Sequence, residues 1–88
     1  MFDSWGLETV RKFTQEKIGE ILEALSSEEY GNVLRAKGMV EGEDGSWIYF
    51  DMVPEEIDIR TGDPEYTGRL CVIGADLKED RLKELFGI

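Results

Sequence analysis

The sequence contains no histidine and only one cysteine, and these absences exclude several kinds of site. Without imidazole, neither a Ser-His-Asp nor a Cys-His nucleophile arrangement can form, and the usual nitrogen ligands of zinc are missing. A single cysteine, Cys71, cannot form a disulfide within the chain, and the first residues lack the pattern of a secretory leader. We therefore expect a cytoplasmic protein.

Glycine motifs for phosphate binding, long apolar runs and positive charge are also scarce. No Walker A or G-x-G-x-x-G motif occurs, so we expect no nucleotide hydrolysis by this chain itself. The longest apolar runs span a few residues, far short of the roughly 20 that a membrane helix needs. Ten Lys and Arg face twenty Asp and Glu, a net charge of −10 that repels nucleic acid and anionic membranes.

The 88 residues present are enough for one domain with a modest core, and 41% of them are hydrophobic. "FDSWGLETV" alternates Trp5, Leu7 and Thr9 with small or polar residues, the period of a strand. Thr14 is a suitable N-cap for a helix whose apolar stripe repeats at helical spacing. That stripe consists of Ile18, Ile21, Leu22 and Leu25.

A hairpin is predicted next, because Asp44-Gly45 is a turn signal between two alternating runs. The returning strand is "WIYFDMV", rich in aromatic and β-branched residues. The outgoing strand, "NVLRAKGMV", has two faces. One carries Leu34, Ala36, Gly38 and Val40, and the other carries Val33, Arg35, Lys37 and Met39.

The last third of the chain predicts strand, loop, strand and helix. Residues 55–60 either continue the strand beyond Pro54 or form a separate edge strand, and the pattern leaves both possibilities open. "RLCVIG" is a near-continuous apolar run and predicts a central strand, with Cys71 buried as an inert core thiol. Asp76 is expected to cap a final helix, with Glu79 completing a capping box before Gly87 ends the helix.

The order β-α-β-β-(β)-β-α predicts an α+β fold of two layers. An antiparallel sheet of four to five strands with both helices on one face satisfies this order with short connections. We expect Trp5, Trp47 and Tyr49 to lie mostly against the helices rather than to form an exposed patch. Carboxylates cluster near residues 41–44 and 55–58, but without EF-hand spacing, so solvated turns are the simpler interpretation.

The segments "VLRAKG", "DGSW", "YFDMVP" and "GRLCVIGADL" follow one another in the order typical of one known domain. With "FDSW", "FTQEKI" and "LKELF", they cover nearly the whole chain, residues 1–88. The sequence resembles the C-terminal domain of the CobW family of P-loop GTPases, named from cobalamin biosynthesis. Phe2 begins the matched region almost at once, which fits either a domain cut at its boundary or a short gene.

This resemblance implies an accessory domain of a GTP-dependent metallochaperone, with no catalytic, cofactor or metal site of its own. In the family's longer members, GTP and a divalent metal such as zinc or cobalt belong to a separate N-terminal domain, which is not in this sequence. The implied partner is that P-loop GTPase domain, in cis or in trans, or a client metalloprotein. The alternative is a stand-alone dimeric module that senses a metal or small ligand through its acidic loops or residues 61–68.

Three cations lie in the stretches that carry the resemblance, "RAKG" and "GR". Arg35, Lys37 and Arg69 are the candidate partner-binding residues, since cations in an acidic domain can bind a carboxylate-rich surface. An equally good alternative is that they neutralise neighbouring carboxylates across the sheet.

Overall fold

The computed structural model describes residues 2–88, which form six strands and two helices. The strands are β1 (Asp3–Thr9), β2 (Lys12–Phe13), β3 (Asn32–Gly42), β4 (Trp47–Val53), β5 (Glu56–Gly62) and β6 (Gly68–Ala75). The helices are α1 (Gln15–Ala24) and α2 (Glu79–Phe86). Five strands lie in the spatial order β1-β6-β3-β4-β5 with antiparallel pairing, and β2 adds a short parallel pair beside β3.

The predicted fold class is confirmed, with both helices on one face of the antiparallel sheet. Residues 56–62 form the separate edge strand β5, which settles the alternative that the sequence left open. β2 was not predicted, because two residues are too short to show a period. Neither helix within residues 2–88 has the length and hydropathy needed to span a membrane.

The core lies between the helices and one face of the sheet. α1 buries Ile18, Ile21 and Leu22 of the predicted stripe, and Leu25, which caps its C-terminus, is buried as well. α2 buries Leu82 and Phe86. The rings of Trp5 and Phe86 lie 5.9 Å apart, which joins the first strand to the last helix. The sheet contributes Val33, Ala36, Val40, Ile48, Phe50, Met52, Leu70 and Val72.

The two faces predicted for β3 are wrong at its start. The register with β6 shifts between Val33 and Arg35, where a bulge places one extra residue in β3. As a result Val33 is buried in the core and Leu34 is only half-buried. From Arg35 onward the predicted alternation is confirmed, with Ala36 in the core and Lys37 exposed.

The helix caps confirm one prediction and correct another. The hydroxyl of Thr14 accepts a hydrogen bond of 3.0 Å from the Lys17 backbone N–H, as expected of an N-cap. Asp76 does not cap α2, since the helix begins at Glu79 and Lys78 occupies the N-cap position without a side-chain hydrogen bond. Asp76 instead adopts a positive φ of 54° in the turn before the helix.

Candidate functional site

The face of the sheet opposite the helices carries the candidate site, and we call it the open face. None of its side chains belongs to the core cluster. It presents four of the ten Lys and Arg residues, while the exposed residues of the helices are largely acidic. The open face comprises Glu8, Arg35, Lys37, Met39, Trp47, Tyr49, Asp51, Asp58, Arg60, Arg69, Cys71 and Ile73.

The structure brings the three predicted cations together on this face. Arg35 and Lys37 are on β3, and Arg69 is on the neighbouring β6. Strand pairing sets Lys37 opposite Cys71 and Met39 opposite Arg69, so Arg69 is a diagonal neighbour of Lys37 across the two strands. All three are exposed.

The cations differ in their carboxylate partners. Arg35 binds Asp51 through hydrogen bonds of 2.7 and 3.2 Å, which raises the pKa of Arg35 and lowers the pKa of Asp51. Arg69 lies 3.8 Å from Glu8, a looser and more exposed ion pair. Within residues 2–88, Lys37 has no carboxylate oxygen within 4 Å. A neighbouring carboxylate therefore neutralises the charge of Arg35 well and that of Arg69 more weakly. The charge of Lys37 is the least neutralised of the three.

Two predictions are wrong, one about the burial of Cys71 and one about the face on which Trp47 and Tyr49 lie. Cys71 is half-exposed on the open face and not buried in the core, because only the alternate residues of β6 point toward the helices. Trp5 lies against the helices as predicted, whereas Trp47 and Tyr49 belong to the opposite face of β4. Trp47 is nevertheless only 7% exposed.

Tyr49, on β4 beside the middle strand β3, is held in place by two contacts. Its hydroxyl donates a 2.7 Å hydrogen bond to the carbonyl oxygen of Asp63, in the connection between β5 and β6. The guanidinium of Arg60 lies 5.9 Å from the centre of its ring. Beside Tyr49 is a shallow depression of about 390 Å³, lined by residues that include Lys37, Met39, Asp51, Arg69 and Cys71.

The described residues do not fit a metal ion. Within residues 2–88 there is no group of three or more Cys, Asp or Glu side chains placed to hold one. Two of the clustered carboxylates are engaged elsewhere, since Glu41 lies 3.8 Å from Lys12 and Asp58 pairs with Arg60. Asp44 accepts from the hydroxyl and backbone N–H of Ser46, which lowers its pKa. Of these three carboxylates, Glu41 and Asp58 lie in strands β3 and β5, and Asp44 lies in the turn between β3 and β4.

Comparison with known protein families gives one match that spans almost the whole chain. The cobalamin synthesis protein cobW C-terminal domain matches residues 2–87. No curated protein matches the chain.

Two solved structures share the fold. One is the zinc-bound YjiA GTPase from E. coli, with a TM-score of 0.76 and 23% identity, and the other is a zinc-bound triple mutant of YjiA GTPase, with a TM-score of 0.81 and 20% identity. Each comparison covers 98% of this chain but only 29% of the YjiA chain. The present domain is therefore similar to less than one third of a GTPase.

Proposed function

Because this chain belongs to the cobalamin synthesis protein cobW C-terminal domain family, we propose that it is a non-catalytic accessory domain that binds a protein partner. The partner is a P-loop GTPase domain, joined to it in one chain or supplied by another. Together the two parts serve as a cytoplasmic, GTP-dependent metallochaperone for a metal such as zinc or cobalt. GTP and the metal belong to the GTPase part.

The observation that carries this proposal is the uncovered half of the sheet. A two-layer domain buries one face of its sheet under helices and leaves the other for solvent or for a partner. Here that second face holds the half-buried Tyr49 together with the exposed Arg35, Lys37 and Arg69. Aromatic side chains and arginine are enriched at protein interfaces.

Charge supports the same assignment. The chain has a net charge of −10, so a cationic group on one face gives a partner's acidic surface a single favourable orientation. The YjiA comparisons are consistent with a GTPase domain as the partner, since more than two thirds of those GTPase chains lie outside the matched region. A client metalloprotein is the other partner that this surface would suit.

Titration calorimetry of this domain against the CobW-family GTPase domain of the same organism tests the proposal. We expect saturable binding, and we expect the double variant Arg35→Glu/Lys37→Glu to weaken it by about tenfold or more. The matched control is Lys17→Glu/Lys83→Glu, which makes the same change in charge on the helices.

Folding of each variant is checked by thermal unfolding, because Arg35→Glu also sets two carboxylates against each other at Asp51. Absence of binding by the unmodified domain would contradict the proposal. Self-association without GTPase binding, seen in sedimentation velocity, would favour the dimeric module instead, and heat on titration with zinc or cobalt would favour a metal sensor.

A further inference from the structure

An apolar strip crosses the open face diagonally. It starts at Ile73 and Cys71 on β6, continues at Met39 on β3 and ends at Tyr49 on β4. Ile73 is 36% exposed and the other three side chains are half-buried. Each is large enough to contribute apolar surface that water still reaches, so covering the strip is favourable.

Cations border this strip on both sides. Arg35 and Lys37 lie on β3 along one side, next to Ile73 and Cys71. Arg69 lies on β6 along the other side, next to Met39. Of these cations, Lys37 has no carboxylate oxygen within 4 Å in residues 2–88. It can therefore form an ion pair with a carboxylate of a partner without losing an existing one.

We propose that this strip binds an acidic amphipathic helix of the partner, with its apolar stripe on Met39 and Cys71 and a carboxylate on Lys37. The inference deepens the proposed function and rests on it. A helix is the occupant because a packed helix is the usual cover for a sheet face with a broad apolar strip. Its acidic flanks follow from the cations on both sides of the strip.

The size of the strip sets the size of the helix. From Ile73 to Tyr49 the strip crosses two strand spacings, from β6 over β3 to β4, and advances along the strands by the length from Arg35 to Met39. The diagonal is about 17 Å long. At a rise of 1.5 Å per residue, a helix of about 11 residues, or three turns, covers that length.

A second copy of this chain cannot supply such a helix. The apolar stripes of α1 and α2 are buried in their own core, with Ile18, Ile21 and Leu82 all fully covered. What the two helices expose is mainly carboxylate and carries no free apolar stripe. The helix must therefore come from a different polypeptide segment.

Cys71 provides a direct test, because it is the single cysteine of the chain and lies at the centre of the strip. The probe is a synthetic helical peptide of about four turns, with leucines along one face and glutamates on both flanks. We expect saturating peptide to slow alkylation of Cys71 by iodoacetamide about tenfold, since a buried thiol reacts slowly. A peptide with every glutamate replaced by lysine should give no protection.

Two variants sharpen the result. Lys37→Glu should weaken the peptide's protection of Cys71 about tenfold, with each rate normalised to the same variant without peptide, while Lys17→Glu on α1 should leave it unchanged. In a Cys71→Ser/Lys17→Cys protein, the peptide should not protect the relocated thiol. Protection of that thiol, or equal protection by the lysine peptide, would overturn the inference.

Repeating the alkylation with the GTPase domain separates this inference from the proposed function. If the GTPase domain binds but leaves Cys71 unprotected, the proposed function stands and the inferred surface is wrong. If the GTPase domain does not bind while the acidic peptide still protects Cys71, the surface stands and the proposed partner is wrong.

Discussion

The guanidinium of Arg35 and the carboxylate of Asp51 join β3 to β4 through two parallel hydrogen bonds, of 2.7 Å from Nη2 to Oδ2 and 3.2 Å from Nε to Oδ1. The hydrogen bond from Arg35 is the main reason that the pKa of Asp51 is lowered. Lys37 lies opposite Asp51 in the same strand pair and lowers that pKa further. One carboxylate thus neutralises one cation and partly balances the next.

The first prediction concerns pH. Because the folded-state pKa of Asp51 is depressed, the pair contributes stability above the unfolded-state pKa of about 3.9 and loses it as pH falls through the folded value. Asp51→Asn should therefore unfold at a slightly lower urea concentration than the unmodified domain at pH 7, and at nearly the same concentration near pH 2. The difference at pH 7 is small, since solvent screens an exposed pair. A difference that grows toward low pH would contradict this reasoning.

The second prediction compares two glycines. A methyl group on Gly19, inside α1, meets only Ile59 Cδ1 at 3.7 Å, so Gly19→Ala should stabilise the domain by about 0.5–1 kcal/mol. A methyl group on Gly38 collides with the Arg69 carbonyl oxygen and lies 2.8 Å from Phe50 Cζ. Gly38→Ala should destabilise the domain by about 1–3 kcal/mol. Urea unfolding measures both, and changes of the same sign would refute the packing argument.

The third prediction concerns the contact between the first strand and the last helix. Phe86 is 1% exposed and its ring lies 5.9 Å from that of Trp5. Phe86→Ala should cost about 3–5 kcal/mol, a large part of the 5–15 kcal/mol that stabilises a typical domain. Ile88→Ala is the control, because Ile88 is 40% exposed and its loss should change stability by less than about 0.5 kcal/mol.

The fourth prediction concerns the start of α1. Thr14→Ala removes the acceptor of the Lys17 N–H and should destabilise the domain by about 1 kcal/mol. Thr14→Ser keeps the hydroxyl and should restore most of that loss. Chemical denaturation compares the two variants, and an equal loss in both would show that the threonine methyl, rather than the cap, is what matters.

Periodicity predicted most of the fold because each long element has one apolar face. It identified α1, β1, β4 and the Asp44-Gly45 turn, where Gly45 has the expected positive φ. It misplaced Val33, because a bulge depends on pairing with β6 and leaves no mark in the sequence of β3. It misjudged Cys71, because a run of apolar residues in β6 does not tell whether one face of the sheet or both are covered.

The family resemblance makes Arg35, Lys37 and Arg69 candidates for partner binding. The sheet sets them on one face, an arrangement that the sequence alone does not show. Which of them has a carboxylate partner depends on register, since Asp51 and Glu8 come from other strands far away in sequence. No local pattern distinguishes Lys37 from the other two.

The position of β1 affects how the chain can fold during synthesis. Among the described strands, β1 pairs with β6 alone, so this strand finds its hydrogen-bonding neighbour only after residues 68–75 have been made. The hairpin of β3 and β4 can form locally, but β3 also needs β6 on its other side. A nascent chain that stalls before residue 68 exposes strand edges on both β1 and β3. Such edges are sites for pairing with other chains, which makes incomplete products of this domain prone to aggregation.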